Sequence, residues 1–425
     1  MLARALTVVV LLLLVTFGGA ASATRAEPIV DAEFAFTAAL RGQGYNGSAV
    51  CVSRGGEPHP GRRLTRVGRY ATAWSRDGSR IAIAGGKPGI RLIRIAGADG
   101  AGERAITAPR PTEQDSSPSW SPDGKTIVFS RYVFFGPGTD YRRAGIWLVD
   151  VGTRQERQIT PQFGGPEWSP TGDVIAAEVF GSSDAELMFL TPDGVVARRI
   201  RLPRGAGGGM SWSPDGTRLA IGDGLIIDRT GQTVGRYGPP KAPNGRASFA
   251  PSWSPNGSTI VFVSALFWTD ARTHSGLAGN GDLFSTRLGE SPVALTRTTS
   301  IDEGSPEFRP GTPGGSAGIA QPCVLRGTPG RDVIRGTPGD DLVDAVGGND
   351  AVYGGGGDDL VVGGRGNDFL NGGAGRDDLR AGTGNDRLYA RDGASDWVGG
   401  GLGRDRAWVD RKDSTASIEM RYSRR

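Results

Sequence analysis

Nine aspartates near the C-terminus recur at an almost constant spacing and are the clearest candidates for chemistry in this 425-residue chain. Successive members lie nine residues apart, except for one interval of ten. They are Asp332, Asp341, Asp350, Asp359, Asp368, Asp377, Asp386, Asp396 and Asp405. Each closes a glycine-rich stretch, so carboxylates and mobile backbone carbonyls occur together. Oxygen ligands of these two kinds are what calcium binds, six to eight at a time.

The nine-residue unit is a turn followed by a very short strand. Two well-formed copies are Gly354-Gly-Gly-Gly-Asp-Asp359-Leu-Val-Val and Gly363-Gly-Arg-Gly-Asn-Asp368-Phe-Leu-Asn. Glycines allow positive φ, which lets backbone carbonyls turn towards an ion. The pattern resembles the RTX, or hemolysin-type, calcium-binding repeat over residues 327–410. The resemblance implies a parallel β-roll with two copies per coil, in which calcium bridges Asp332 with Asp350 and Asp341 with Asp359.

An apolar residue at the eighth position of each copy is expected to point inwards and form a thin core. These residues are Ile334, Val343, Val352, Val361, Leu370, Leu379 and Leu388. Such a core is small and stacked carboxylates repel, so we expect calcium binding to be the folding step. The alternative is a glycine-rich tail that binds nothing. Local departures are Thr-Pro in the first two copies, Ala345-Val in the third and one extra residue in the eighth.

A longer repeat occupies the middle of the chain. It combines Trp-Ser, a turn and a following strand of alternating apolar residues. The copies begin at Trp74, Trp120, Trp168, Trp212 and Trp253, with a weaker sixth at Phe308. The spacings of 46, 48, 44, 41 and 55 residues are typical of β-propeller blades. In the turn, Pro presets φ, Asp caps and Gly takes the positive φ.

Each copy contains four predicted strands, as in Thr126-Ile-Val-Phe-Ser130, Gly145–Asp150 and Arg157–Thr160 after the strand ending at Trp120. The repeats resemble the TolB-type propeller over residues 45–325. This resemblance implies a fold and leaves function open, because one fold serves many functions. The predicted fold class is therefore all-β, a six-bladed β-propeller plus a C-terminal parallel β-roll.

The last blade must be shared between the two ends of the propeller. We predict that Phe308 and Gly318–Val324 supply two of its strands, and that Ser48–Ser53 and Arg63–Thr65 supply the other two. Cys51 and Cys323, the two cysteines of the chain, would then lie on neighbouring strands. A disulfide between them is predicted if the protein is exported to an oxidising compartment. Two buried thiols are the alternative.

The N-terminus has the features of a secretory signal. Arg4 precedes the apolar stretch Leu6–Phe17, which is short for a membrane span, and Ala21-Ser-Ala23 fits a cleavage site. An uncleaved anchor is the alternative, and no later transmembrane segment is predicted. The charge of +4 comes from scattered arginines, so no nucleic-acid partner is expected. We predict a secreted protein, extracellular or at the cell surface.

Few residues suggest catalysis. His59 and His274 are the two histidines, which disfavours zinc sites and histidine-based acid–base chemistry. Gly314-Gly-Ser-Ala-Gly318 matches a serine-hydrolase motif but lies in a Gly/Pro linker without the strand and helix that such a site requires. Acidic residues precede several turns and could line a channel mouth: Asp115, Glu167, Asp302, Glu303 and Glu307.

The function predicted from these observations is calcium binding by the roll and binding of a protein or glycan partner by the propeller. The alternatives are an extracellular hydrolase or polysaccharide lyase with its site in the propeller channel, and a periplasmic adaptor. The predicted segments are a signal peptide (1–23), a lead-in (24–44), the propeller (45–325), the roll (326–412) and a C-terminal cap (413–425).

Overall fold

Two kinds of β-structure make up the described part of the chain. The computed structural model describes residues 34–40, 48–54, 57–63, 69–86, 91–134, 141–162, 164–180, 185–203, 208–238, 246–270, 273–277, 282–294, 301–308 and 324–423. Every regular element in these ranges is a strand. The strands before residue 309 form antiparallel sheets, and those after residue 323 form parallel sheets. The prediction of an all-β chain with a propeller and a parallel roll is confirmed.

The propeller sheets follow one another along the chain, and each begins with a strand that ends at a repeat tryptophan. The first comprises Arg69–Trp74, Arg80–Gly85, Leu92–Gly97 and Arg104–Ala105, and the second Glu113–Trp120, Thr126–Phe134, Tyr141–Asp150 and Glu156–Thr160. The third comprises Gly164–Trp168, Ile175–Phe180, Ala185–Leu190 and Val196–Arg201, and the fourth Met210–Trp212, Arg218–Ile221, Leu225–Asp228 and Thr233–Arg236. The fifth comprises Arg246–Trp253, Thr259–Asp270, Asp282–Arg287 and Val293–Ala294, with Thr273–Leu277 paired to its second strand.

One more sheet joins the two ends of the propeller. Ile301–Phe308 pairs with Phe34–Leu40, and Ser48–Arg54 and Glu57–Arg63 complete the sheet. The predicted two-plus-two sharing is therefore wrong, because Phe34–Leu40 takes the place assigned to Gly318–Val324. The first strand also lies within the segment predicted as a lead-in. Its apolar residues give it a buried face, as Ala35 packs with Val50 and Trp74.

The Trp-Ser-Pro-Asp-Gly segment forms the predicted turn and also joins adjacent sheets. In the second sheet, Ser121 Oγ donates to Asp123 Oδ1 at 2.6 Å and accepts the Thr126 amide at 2.9 Å. Trp120 Nε1 donates to the Ala73 carbonyl of the preceding sheet at 3.0 Å. The guanidinium of Arg80 lies 4.6 Å from the Trp120 ring, a cation–π contact. The Trp120 repeat thus ties its own turn to the first two strands of the preceding sheet.

The roll consists of two six-stranded parallel sheets. The first roll sheet comprises Leu325–Arg326, Leu342–Asp344, Leu360–Arg365, Asp378–Thr383, Trp397–Leu402 and Ser414–Ala416. The second roll sheet comprises Val333–Arg335, Ala351–Gly356, Phe369–Ala374, Arg387–Ala390, Arg406–Val409 and Met420–Ser423. Strands alternate between the sheets, so two repeat copies make one coil, as the resemblance implied.

A single apolar cluster fills the space between the roll sheets. Val343, Val352, Val361, Leu370, Leu379 and Leu388 are fully buried in it, and Ile334 packs against its end. The inward orientation predicted for the eighth position is confirmed. Small apolar residues two positions further along some of the strands add to it: Ala345, Ala381, Ala390 and Val409.

Candidate calcium columns

The parallel register stacks the nine aspartates in two columns, one beside each roll sheet. The second-sheet column contains Asp332, Asp350, Asp368, Asp386 and Asp405, and the first-sheet column contains Asp341, Asp359, Asp377 and Asp396. Within a column, the amide of each aspartate donates to Oδ1 of the aspartate one coil later. Asp350 donates to Asp368 at 2.9 Å, and Asp368 donates to Asp386 at 2.7 Å. The structure therefore brings together the pairs expected from the resemblance.

The second carboxylate oxygen is buried without a hydrogen-bond partner in most of these residues. Asp405 is fully buried, and Asp386 and Asp368 are 1% and 2% exposed. The aspartates whose Oδ2 has no hydrogen-bond partner are Asp350, Asp368, Asp377, Asp386, Asp396 and Asp405. A buried carboxylate oxygen without a donor is costly, so it is expected to face a cation.

Backbone carbonyls lie close to these oxygens. At Gly363, a Cβ would lie 2.6 Å from both Asp368 Oδ2 and the Ala381 carbonyl oxygen, so this place accepts only glycine. Gly354 has the same relation to Asp359 and Gly372. In the described residues, no three acidic, histidine or cysteine side chains converge as a metal cluster. The donor set is therefore one or two carboxylates with carbonyl oxygens, a composition that calcium accepts.

The first two copies differ from the rest because of their Thr-Pro sequence. Thr328 donates to Asp332 Oδ2 through its amide at 2.6 Å and its hydroxyl at 2.9 Å. The Thr337 amide donates to Asp341 Oδ2 at 2.6 Å. These two carboxylates have protein donors at Oδ2, whereas the six aspartates named above have none. The departure seen in the sequence thus changes the electrostatics of the first coil.

Burial raises the pKa of six column carboxyls above the ordinary value of 3.8, namely Asp350, Asp368, Asp377, Asp386, Asp396 and Asp405. Desolvation, offset in part by the backbone hydrogen bond, raises the pKa of Asp377 and Asp386 to about 7. The same cause raises the pKa of Asp368 and Asp396 to about 6, with neighbouring carboxylates adding to it. Near neutral pH, burial destabilises the ionised form of these carboxyls, and a bound cation would offset that destabilisation.

A second ladder of side chains runs along the turn of every other copy and was missed in the sequence. The Asn367 amide donates to Asn349 Oδ1 at 2.7 Å, and the Asn385 amide donates to Asn367 Oδ1 at 2.7 Å. Asn385 then accepts the Arg404 amide at 2.9 Å. The available signal was an asparagine before the aspartate at intervals of eighteen residues. This neutral ladder aligns the turns without a metal.

The acidic residues proposed for the propeller channel have separate environments. Asp115 is fully buried and accepts two hydrogen bonds from Arg131, at 2.7 and 2.9 Å. Arg131 also contacts Glu156 at 2.7 Å, so Asp115 belongs to an internal ion cluster. Glu167 lines a cavity of about 330 Å³ with the five repeat tryptophans. The side chains of Asp302, Glu303 and Glu307 lie outside the described residues.

Several predictions concern parts of the chain that the structure leaves out. Residues 1–33, including the predicted signal peptide, and Cys323 lie outside the described residues. Cys51 is fully buried on Ser48–Arg54, where its strand neighbours are Phe36 and Arg63. The disulfide to Cys323 stays a prediction. Within the described ranges, no helix has the length and apolar character needed to cross a membrane.

Comparison with known proteins confirms both resemblances. The family model of the RTX calcium-binding nonapeptide repeat matches residues 324–352, 353–388 and 371–407. The chain thus carries calcium-binding RTX repeats.

The propeller is similar to TolB proteins. The Protein TolB homolog of Chlorobium luteolum is 28% identical over 144 residues, 34% of this chain and 31% of that protein. The Tol-Pal system protein TolB of Alcanivorax borkumensis is 40% identical over 83 residues, 19% of this chain and 18% of that protein. The matches thus span less than a third of either relative. The crystal structure of TolB from Acinetobacter baumannii is 18% identical, with a TM-score of 0.49, over 66% of this chain and 67% of that chain.

Proposed function

We propose that this chain is an exported calcium-binding protein, whose roll folds as it takes up calcium and whose propeller binds a protein or glycan partner. The observation that carries the proposal is the pair of columns in which buried Oδ2 atoms have no hydrogen-bond donor. Unpaired buried charge is expensive, whereas a divalent cation between carboxylates and carbonyls compensates it. The calcium-binding repeat gives the ion its identity.

The column aspartates would hold calcium through Oδ2, while Oδ1 keeps the coil-to-coil hydrogen bond. We assign all nine predicted aspartates to the columns, with Asp332 and Asp341 at the weak end because threonine donors already occupy their Oδ2 atoms. Calcium supplies positive charge that neutralises the stacked carboxylates. The glycines leave space for the ion and its carbonyl ligands.

Export is consistent with this chemistry. Extracellular calcium modules bind at roughly 10⁻⁴–10⁻³ M, so the roll would remain unfolded at cytoplasmic calcium concentrations and fold outside the cell. The predicted signal peptide supports the same route. An oxidising compartment would also allow the bond between Cys51 and Cys323, which would stabilise the propeller by about 4–5 kcal/mol at most.

For the propeller we infer six blades and a binding role. The sheet that joins Ile301–Phe308 to the N-terminal strands supports a sixth blade at the Phe308 copy. Closure of a ring leaves loops at both faces for a partner, and loops on rigid scaffolds commonly carry binding function.

The experiment compares Asp377→Asn with Asp378→Asn in the full chain. Asp377 lies in a column, whereas Asp378 pairs with Arg380 at 2.6 Å and is partly exposed. Asparagine at 377 still accepts the Asp359 amide but lacks the charge. Calcium is titrated while β-structure is followed by circular dichroism, and bound calcium is counted by equilibrium dialysis.

We expect the unaltered chain to gain β-structure near millimolar calcium and to lose it with chelator. Asp377→Asn should raise the calcium concentration at the midpoint by about 10-fold or more. Altering the groups that support a metal site typically lowers its affinity by about 10–100-fold. Asp378→Asn should leave the midpoint nearly unchanged. No calcium uptake by the unaltered chain, or equal midpoints for the two variants, would contradict the proposal.

A further inference from the structure

The segment after the last recognisable repeat continues the roll. The repeat series ends at Asp405 in the sequence, and the family model ends at residue 407. In the structure, Ser414–Ala416 pairs in parallel with Trp397–Leu402, and Met420–Ser423 pairs with Arg406–Val409. Residues 409–423 therefore form one more coil, made of two shortened copies that lack the glycine motif.

Each shortened copy places an acid where a repeat would have its aspartate. Asp396 donates its amide to Asp413 Oδ1 at 3.1 Å, and Asp405 donates its amide to Glu419 Oε2 at 2.7 Å. Both contacts repeat the coil-to-coil hydrogen bond found between the column aspartates. Glu419, the one glutamate between residues 324 and 425, thus occupies the terminal position of the second-sheet column.

Around Asp405 the remaining features of a repeat site are also present. Asp405 is fully buried and its Oδ2 has no hydrogen-bond partner. A Cβ added to Gly400 would meet both Asp405 Oδ2 and the Ser417 carbonyl oxygen, the same relation that Gly363 has to Asp368 and Ala381. Ser417 adopts a φ of 52°, which non-glycine residues rarely do.

We propose that Asp405, Glu419 and the Ser417 carbonyl form a terminal calcium site, so that the C-terminal segment is held on the roll by the ion. This inference rests on the proposed calcium binding of the columns and extends it beyond the repeat motif. The buried Oδ2 of Asp405 has no hydrogen-bond donor and needs a cation or a proton, and Glu419 supplies a second carboxylate at the Asp405 amide. In residues 417–419 the repeat glycines are missing, and Ser417 adopts the positive φ that glycine would otherwise supply.

The test uses the full chain and compares Glu419→Gln with Asp378→Asn. Glutamine keeps the oxygen that accepts the Asp405 amide, so it removes charge without removing the hydrogen bond. Bound calcium is counted by equilibrium dialysis at saturating calcium. Hydrogen exchange of residues 414–423 is measured with calcium and with chelator.

We expect Glu419→Gln to bind one calcium ion fewer and to lose calcium-dependent protection of residues 414–423, while Asp378→Asn matches the unaltered chain. If Glu419→Gln lost all bound calcium while Asp378→Asn lost none, the charge of Glu419 would also be assigned to ion binding. Glutamine retains the hydrogen bond from the Asp405 amide, so only the charge differs. Equal calcium numbers and protection in Glu419→Gln and the unaltered chain would overturn the inference. An unaltered chain that binds no calcium would instead overturn the proposed function.

Discussion

At the scale of single residues, six column aspartates divide their two oxygens between two tasks: Asp350, Asp368, Asp377, Asp386, Asp396 and Asp405. Oδ1 accepts a backbone amide, as Asp386 does from Asp368 at 2.7 Å, whereas Oδ2 is buried without a donor. The first task needs no charge, and the second needs a cation or a proton. These six carboxyls should therefore bind protons more tightly than an ordinary aspartate when calcium is absent.

This division predicts a pH-dependent calcium-free roll. The folded-state pKa of Asp377 and Asp386 is about 7, against 3.8 for an ordinary aspartate. Between these values the folded form holds more protons, so its stability is highest below about pH 4 and falls as the pH rises to 7. In metal-free buffer, circular dichroism should show more β-structure at pH 5 than at pH 7.5.

The control for the pH effect is the double variant Asp377→Asn/Asp386→Asn. The two asparagines do not titrate, whereas Asp368 and Asp396 still do, so the difference between pH 5 and pH 7.5 should shrink without vanishing. A spectrum of the unaltered metal-free chain that is identical at both values would contradict the raised pKa values. The calcium-induced gain in β-structure should also be smaller at pH 5, where protons compete with the ion.

At the scale of elements, stacked aromatic rings support the outer face of the second roll sheet. Tyr389 and Trp408 stack at 4.4 Å with an interplanar angle of 3°, and Trp408 and Tyr422 stack at 5.0 Å. Phe369 continues the stack at 5.1 Å from Tyr389. Trp408 is paired in register with Tyr389 on one side and Tyr422 on the other, so the parallel register brings these three rings together. They add metal-independent cohesion to a roll whose inner core is thin.

Trp408→Ala should therefore destabilise the calcium-loaded roll. It removes two ring pairs, each worth about 0.5–1.5 kcal/mol beyond buried area, so a loss of about 1–3 kcal/mol is expected. Calorimetry should show a lower midpoint for the transition that shifts with calcium. Trp397→Ala is the control, because Trp397 is 39% exposed on the other sheet and contacts Arg380. Equal shifts for the two variants would argue against the stack.

At the scale of the whole molecule, an N-terminal strand joins the two ends of the propeller in one sheet. Phe34–Leu40 pairs with Ile301–Phe308, across more than 250 residues of chain. Ala35 is fully buried there and packs with Val50, Trp74 and Ile81. Because no other sheet joins both ends in the described residues, this strand should control the cooperativity of propeller unfolding.

Ala35→Asp tests this closure. A buried, unpaired carboxylate at this place should lower the free energy of unfolding by about 3–5 kcal/mol, measured by urea denaturation in chelator. Val195→Asp is the matched control, because Val195 is 64% exposed and its change should stay within about 0.5 kcal/mol. If both variants unfold at the same urea concentration, Phe34–Leu40 does not close the propeller.

Much of this organisation is local in origin and was predictable from the sequence. The Trp-Ser-Pro-Asp-Gly turn depends on contacts within six residues, and the inward eighth position of the roll depends on period and polarity. The nine-residue spacing revealed the repeat, and the resemblance to the RTX family implied two copies per coil, so the aspartate pairs one coil apart could be named in advance. These features depend on backbone geometry and short-range hydrogen bonds, which residue types and spacing specify.

The remainder depends on contacts between distant residues. The N-terminal strand Phe34–Leu40 was not predicted as part of the closing sheet, because strand partners across the chain leave no local signal. The threonine donors at Asp332 and Asp341 could be identified only from the folded coil. The same holds for the buried Oδ2 atoms that have no hydrogen-bond donor. Glu419 lacks the motif altogether, and only the stacking of 409–423 on the previous coil puts it above Asp405. The sequence by itself determined the repeats, and their resemblance to a known family implied calcium. The tertiary structure decided which strand joins the two ends of the propeller and where the columns end, because both depend on which strands lie side by side.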